Sequence, residues 1–152
     1  MNKKIIYVDM DNVLVDFPSG ISQLKKDILL EYKDKLDEVS KIFSLMIPMP
    51  GALEAIKKLA KVYDLYILTT SPWNNPTALQ DKLDWIKKYF GNSSDDIFHK
   101  KVIFSHHKNL LKGDYLIDDR TNNGAGSFEG ELIQFQTELY PDWESVTRYL
   151  LG

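Results

Sequence analysis

Residues 5–17 read Ile5-Ile6-Tyr7-Val8-Asp9-Met10-Asp11-Asn12-Val13-Leu14-Val15-Asp16-Phe17. A short unbroken apolar run, Ile5 to Val8, ends in two carboxylates, Asp9 and Asp11. Such a run marks a strand buried on both faces, the usual state in a parallel sheet. In open α/β sheets, ligands bind beyond the carboxyl ends of the strands, so the two acids leave the strand where chemistry is usually placed. Burying a carboxylate is costly unless something pairs with it. Two acids at one strand end therefore imply a cation, a proton or a basic partner. The competing reading is that both simply cap the turn that follows, since Asp favours turns.

Working outward, apolar runs and helical spacings alternate. Leu65 to Leu68 read as a second strand ending in Thr69-Thr70-Ser71, and Val102 to Phe104 as a third. Tyr115 to Ile117 read as a fourth, ending in Asp118-Asp119-Arg120, and Leu132 to Phe135 as a fifth. Between them lies a helix over about 51–61 that buries Leu53, Ile56 and Leu59. A second, opened by a Thr77–Gln80 capping box and stopped by Gly91, is expected to bury Leu79, Leu83, Ile86 and Phe90. A final helix is expected to bury Trp143, Val146 and Leu150. This alternation makes the class α/β with a parallel sheet.

Residues 18–47 are surplus to that scheme, because the helix at 51–61 is already a sufficient crossover. Ile21, Leu24, Ile28 and Tyr32, then Leu36, Val39, Ile42, Phe43 and Met46, predict two short amphipathic helices. An insert beside an active strand end is a candidate lid. The expected division is a core of 1–17 and 48–152 with a small helical cap at 18–47.

Composition narrows the function classes. The chain has 152 residues, 43% hydrophobic and 27% charged, enough for one core. A net charge of −3 gives no general attraction to a nucleic-acid polymer or a membrane, though it leaves room for a small phosphorylated ligand. No cysteine is present, so a disulfide, a thiolate nucleophile and a Cys-type zinc site are excluded. The N-terminus lacks the apolar length of a signal peptide and no run could span a bilayer, so a cytoplasmic protein, monomeric or homodimeric, is expected.

Parallel strands end on one sheet edge, which brings Asp9, Asp11, Asp118 and Asp119 towards each other. At an effective dielectric near 20, each pair about 4 Å apart repels by roughly 4 kcal/mol. Hard, all-oxygen ligands suit Mg²⁺, which often shares a substrate phosphate. The hydroxyls of Thr70 and Ser71 could hold that phosphate. Lys82, on the next helix and off its Leu79-Leu83-Ile86 face, could add positive charge or could be a solvated lysine. Lys108 is its rival, also preceding the fourth strand. His106 and His107 read as a surface loop, and Gly124-x-Gly126 lacks the spacing of a dinucleotide fingerprint.

As a set, Asp9-x-Asp11-x-Val13-Leu14, Thr70-Ser71, a lysine on the following helix and Asp118-Asp119 resemble the four motifs of the haloacid dehalogenase (HAD) superfamily. Within it, the stretches Val8–Phe17, Leu68–Pro72, Lys82–Gly91 and Leu116–Gly126 resemble the 5′(3′)-deoxyribonucleotidases. The resemblance covers about a third of the chain. It implies a Rossmann-like three-layer sandwich with a mainly parallel central sheet and a cap after the first strand. It implies a Mg²⁺-dependent phosphomonoesterase that hydrolyses deoxyribonucleoside monophosphates. Asp9 would be the nucleophile and form an aspartyl-phosphate; Asp11 would be the acid and then the base. Thr70, Ser71 and Lys82 would hold the phosphoryl oxygens. Mg²⁺ would bind Asp9, the backbone carbonyl of Asp11, and Asp118, with Asp119 in support. Phe17 and Trp73 are candidates for stacking a base.

Two features depart from the pattern. Asn12 stands where the family usually has glycine, although Asn tolerates left-handed backbone. The insert is short, with Phe43 the only Phe or Trp between Pro18 and Pro50. The alternatives are a phosphatase for another small metabolite, such as a sugar phosphate, and a non-enzymatic phospho-acceptor or ligand-binding domain. The order of the acids and lysine argues against the phospho-acceptor.

Overall fold

The computed structural model describes residues 2–152. Strand β1 (Ile5–Val8) is followed by a two-residue strand β2 (Val15–Asp16) and two short helices, α1 (Phe17–Ile21) and α2 (Lys26–Glu31). After β3 (Ile47–Pro48), strands and helices alternate: α3 (Ala52–Leu59), β4 (Asp64–Thr69), α4 (Ala78–Phe90) and β5 (Val102–Phe104). The chain ends with β6 (Tyr115–Asp118), β7 (Glu131–Gln134) and α5 (Trp143–Leu151). Five strands form one parallel sheet in the order β5-β4-β1-β6-β7. This is the expected α/β sandwich.

Strand side chains alternate between two faces. Ile6, Val8, Leu65, Ile67, Ile117 and Ile133 pack with residues of α3, α4 and α5 in the larger core cluster. Tyr7, Leu68 and Leu116 pack with Ala125 and Phe128, under 3₁₀ turns and loops, so this layer is thinner. From β1 the chain crosses to β4 and on to β5, then returns past β1 to β6 and β7. The strand order therefore reverses between β1 and β6, and a crevice opens beyond their carboxyl ends. Val8 pairs with both Ile67 and Ile117, so the acids after β1 and at the end of β6 emerge side by side at that point.

The insert differs from the two helices expected. Its first half holds α1 and α2, and residues 21–38 include no buried residue. Its second half is two 3₁₀ turns, Leu36–Glu38 and Ile42–Leu45, because Asp34 and Lys41 take left-handed backbone and interrupt any continuous helix. Val39, Ile42, Phe43 and Met46 nevertheless bury themselves in the main core. The ribbon β2–β3, Val15 against Pro48 and Asp16 against Ile47, closes the base of the insert.

Two local expectations are corrected on α4. Thr77 starts it without a capping box, because its Oγ1 accepts the Lys41 N–H at 2.7 Å, while Gln80 bonds Asp84. The buried face is Ala78, Lys82, Trp85, Ile86 and Phe90, with Leu79 55% exposed. Trp85 sets this rotation: its Nε1 donates to the Met46 carbonyl at 2.9 Å. A capping box does occur on α5, between Asp142 and Ser145. Among the described residues, no helix is long and apolar enough to cross a membrane.

Candidate active site

The site begins where β1 stops. The Asp9 N–H donates to the Ile117 carbonyl at 2.9 Å, extending the β1–β6 ladder and fixing Asp9 beside the end of β6. Carboxylate oxygens of Asp9, Asp118 and Asp119 lie within 4.8 Å of one another. Lys108 reaches into this cluster: its Nζ donates to Asp9 Oδ1 at 3.0 Å and to Asp118 Oδ2 at 2.6 Å, with all three side chains buried. Asp118 Oδ1 accepts the Arg120 N–H at 3.1 Å, so both of its oxygens are engaged. Asp119 Oδ1 is buried with no hydrogen-bond partner among the described residues.

One lysine among three acids leaves a surplus of negative charge. Burial and the charge of Asp9 push the Asp118 carboxyl up to about 7, against the pull of Lys108. Burial and Asp9 likewise push Asp119 up to about 6, with Arg120 pulling it down. Burial alone would lower Lys108, but Asp9 and Asp118 offset it and hold its ammonium above the ordinary value. A site this demanding of positive charge, with hard oxygen donors and one donor orphaned, fits a small divalent cation such as Mg²⁺.

Asp11 is placed by the turn after β1. Asn12 takes φ 60°, and the N–H groups of Val13, Leu14 and Val15 converge on the Met10 carbonyl. Val13 and Leu14 anchor the turn in the core, and Trp143 Nε1 donates to the Val13 carbonyl at 2.7 Å. Asn12 thus does the work expected of glycine. Asp11 lines the cleft, and Lys82 Nζ sits 3.4 Å from each of its oxygens, donating to Oδ2, while Oδ1 is buried without a hydrogen-bond partner among the described residues. Burial raises the Asp11 carboxyl, and Lys82 pulls against it.

Lys82 is not the solvated or cleft-facing lysine the spacing suggested. It is 0% exposed, and its short bonds, 2.8 Å each, go to Thr69 Oγ1 and the Thr70 carbonyl. The lysine that lines the cleft is Lys108. Its backbone N–H is held by the Asn123 carbonyl at 2.7 Å. Gly124 (φ +82°) packs so closely on Asn109 that a Cβ would sit 2.2 Å from Asn109 Oδ1, which fixes the loop after β6 against the Lys108 turn.

The cleft is a cavity of about 330 Å³ that brings together Asp9, Asp11, Thr70, Trp73, Lys108 and Asp118, rimmed by Asp37, His106, Arg120 and Asn122. Thr70 Oγ1 donates to the Ser105 carbonyl at 2.7 Å. Ser71 lies in a neighbouring groove with Leu79, Phe104 and Ser105 rather than in this cavity. Trp73 is 86% exposed and meets His106 edge-on at 5.7 Å. Phe17 lines an adjoining hollow with Asp11, Leu36, Asp37 and Arg120, its ring edge-on to Phe43 at 5.9 Å.

The sequence reading passed over His106 and Arg120 as lining groups and ranked Lys108 second. A usable signal existed for Lys108: it follows β5 in a loop at the carboxyl edge of the sheet, where Lys82, inside a helix, does not lie.

A parallel sheet with acids from β1 and β6 at its reversal point is the arrangement of a HAD-type hydrolase. Among solved structures, the provisionally assigned HAD hydrolase YfnB of Bacillus subtilis, bound to magnesium, superposes with a TM-score of 0.64 at 12% identity over 99% of both chains. A HAD-superfamily hydrolase of Geobacter sulfurreducens gives 0.61 at 14% identity over 99% of this chain and 97% of that one. These likenesses speak for the fold.

Sequence relatives are more specific. The family described as 5′ nucleotidase, deoxy (Pyrimidine), cytosolic type C protein matches residues 25–148. A protein of Vibrio phage KVP40, provisionally named 5′(3′)-deoxyribonucleotidase, is 51% identical over 149 residues, covering 98% of this chain and 85% of that one. The 5′(3′)-deoxyribonucleotidase of Bacillus subtilis strain 168 is 31% identical over 177 residues, covering 98% and 99%. The chain belongs to this deoxyribonucleotidase family of phosphoric monoester hydrolases.

Proposed function

We propose that the protein hydrolyses deoxyribonucleoside monophosphates, with Mg²⁺, through a phosphorylated Asp9. The observation that carries this reading is the buried Asp9 carboxylate, held by Lys108 at 3.0 Å in one cavity with Asp11 and Thr70. In the first step an Asp9 oxygen attacks phosphorus. The bond to the leaving oxygen breaks, and Asp11 gives that oxygen its proton. In the second step Asp11, now ionised, takes a proton from water as it attacks phosphorus and releases Asp9. Splitting the hydrolysis in this way is covalent catalysis, and positioning with charge neutralisation supplies most of the rest. Asp9, the Asp11 backbone carbonyl and the Asp118–Asp119 pair would hold the Mg²⁺; Asp119, whose buried Oδ1 has no partner among the described residues, would join as a ligand rather than a mere support. The ion would neutralise charge on the phosphoryl group.

In this reading, Lys108 takes the phosphate-neutralising role first given to Lys82, and Thr70 the hydroxyl role, with Ser71 beside it. Trp73 offers its face to the base. Residues 18–47 act as the cap, of which 21–38 hold no buried residue while Val39, Ile42, Phe43 and Met46 belong to the core. Phosphate release from a panel of deoxyribonucleoside and sugar monophosphates, with Mg²⁺ and with excess chelator, tests the reading. Release from at least one deoxyribonucleotide, abolished by chelation, is expected; activity on sugar phosphates alone would refute it.

A further inference from the structure

Lys82 is a residue the mechanism above leaves unused, and its placement is costly. A lysine is almost never fully buried unless paired, and an apolar side chain of similar size would fill the inward face of α4 without that cost. Nothing at Lys82 is solvent-exposed, yet its ammonium is fully surrounded. Two N–H groups are spent on Thr69 Oγ1 and the Thr70 carbonyl, at 2.8 Å each. The Phe43 ring covers another side, 4.5 Å from Nζ. The remaining side faces Asp11 at 3.4 Å from both oxygens.

That last geometry is unlike the Lys108 contacts. Lys108 takes one oxygen of each acid at close range; Lys82 stands centred behind a whole carboxylate. A centred ammonium fixes the plane and direction of Asp11: Oδ2 takes only the long 3.4 Å bond, and Oδ1 is buried without a hydrogen-bond partner among the described residues. The two short bonds tie the same ammonium to the strand end that bears Thr70. We propose that Lys82 is a positioning residue: it aims the Asp11 carboxyl at the leaving oxygen and keeps it in register with the Thr69–Thr70 strand end. This rests on the reading of Asp11 as proton donor. A displacement of about 1 Å can cost on the order of 10²-fold when it disturbs a reacting group.

The test compares two leaving groups in kcat/KM, which reports the steps up to phosphoryl transfer. A deoxyribonucleoside monophosphate needs a proton on its leaving oxygen, and 4-nitrophenyl phosphate does not. Lys82→Met should lower kcat/KM for the nucleotide about tenfold or more and for the aryl ester less than about threefold, since general acids are worth about 10²–10⁴-fold. Inhibition by inorganic phosphate should be unchanged. The ratio of the two substrates does not depend on the folded fraction, and Lys82→Gln, which keeps a donor for Thr69, serves where Lys82→Met folds poorly. Equal losses on both substrates, or no loss, would overturn the proposal and leave Lys82 a structural fastening. Asp11→Asn is the reference. If it shows the selective loss and the Lys82 variants do not, the Lys82 proposal alone fails; if it shows none, the Asp11 reading fails and takes the proposal with it.

Discussion

Trp73 is the most exposed of the large apolar residues at the cleft, and so little of it is packed that the fold gains little from it. Its ring is free to take a base, with His106 bracing it edge-on. Stacking on an aromatic is worth about 1–3 kcal/mol in nucleic-acid complexes. Trp73→Ala is expected to raise KM for a deoxyribonucleotide about tenfold while sparing a simple aryl phosphate; equal losses on both would show that Trp73 only shapes the loop. Asp119 offers a second test at this scale. Asp119→Asn removes an acid whose Oδ1 has no partner among the described residues, so metal-free stability should hold or rise while Mg²⁺ affinity, read by titration calorimetry, falls. A large loss of metal-free stability would make Asp119 structural. Residue by residue, the strand-end acids were legible because an apolar run stopped by Asp is a local signal. Lys82 was not, because a lysine within a helical pattern reveals nothing about which face the tertiary contacts will bury. Only Trp85 and its bond to Met46 decide that.

At the scale of elements, the insert and the loop before α4 are fastened to each other. Asn75 is buried, and its Nδ2 donates to the Asp37 and Val39 carbonyls at 2.8 and 3.0 Å while its Oδ1 accepts the Thr77 N–H at 3.0 Å. Asn75→Ala strands all three groups and should cost about 2–3 kcal/mol. Amide exchange should accelerate through residues 36–46. Destabilisation without faster exchange there would mean the fastening lies elsewhere. The same contacts explain why this part of the insert was misread. Apolar residues three and four apart, such as Val39, Ile42, Phe43 and Met46, fit a helix face and a pair of 3₁₀ turns equally well. The left-handed Lys41 follows from Thr77 claiming its N–H, a partner 36 positions away. The five strands of the parallel sheet were read within a residue or two of their ends, because buried parallel strands carry their signal within a few consecutive residues; the two-residue pair β2–β3 carries no such run and was not foreseen.

For the whole molecule, the acid cluster makes stability depend on pH. Asp118 and Asp119 have folded values near 7 and 6, above the ordinary 3.8, and Asp11 is also raised. A carboxyl raised on folding stabilises the protein while protonated, and that contribution disappears as pH rises through the folded value. The raised Lys108 acts only above its ordinary 10.5 and leaves this window flat. The metal-free protein should therefore lose thermal stability as pH rises from about 5 to about 8. Mg²⁺ competes with those protons, so the gain in Tm on adding it should grow over the same range. A metal-free Tm that rises with pH across this range would show that these carboxyls are not raised.

The central claim is that Asp9 carries the phosphoryl group and Asp11 moves the protons. The direct test is rapid quench with 4-nitrophenyl phosphate and Mg²⁺, followed by intact mass spectrometry in acid. Asp11→Asn keeps the nucleophile and the backbone carbonyl but lacks the base for the second step, so it should release a burst of nitrophenol and gain the mass of one phosphoryl group. Asp9→Asn should show neither. A phosphoenzyme formed by Asp9→Asn, or neither burst nor mass gain from an Asp11→Asn protein that still binds Mg²⁺, would contradict the account.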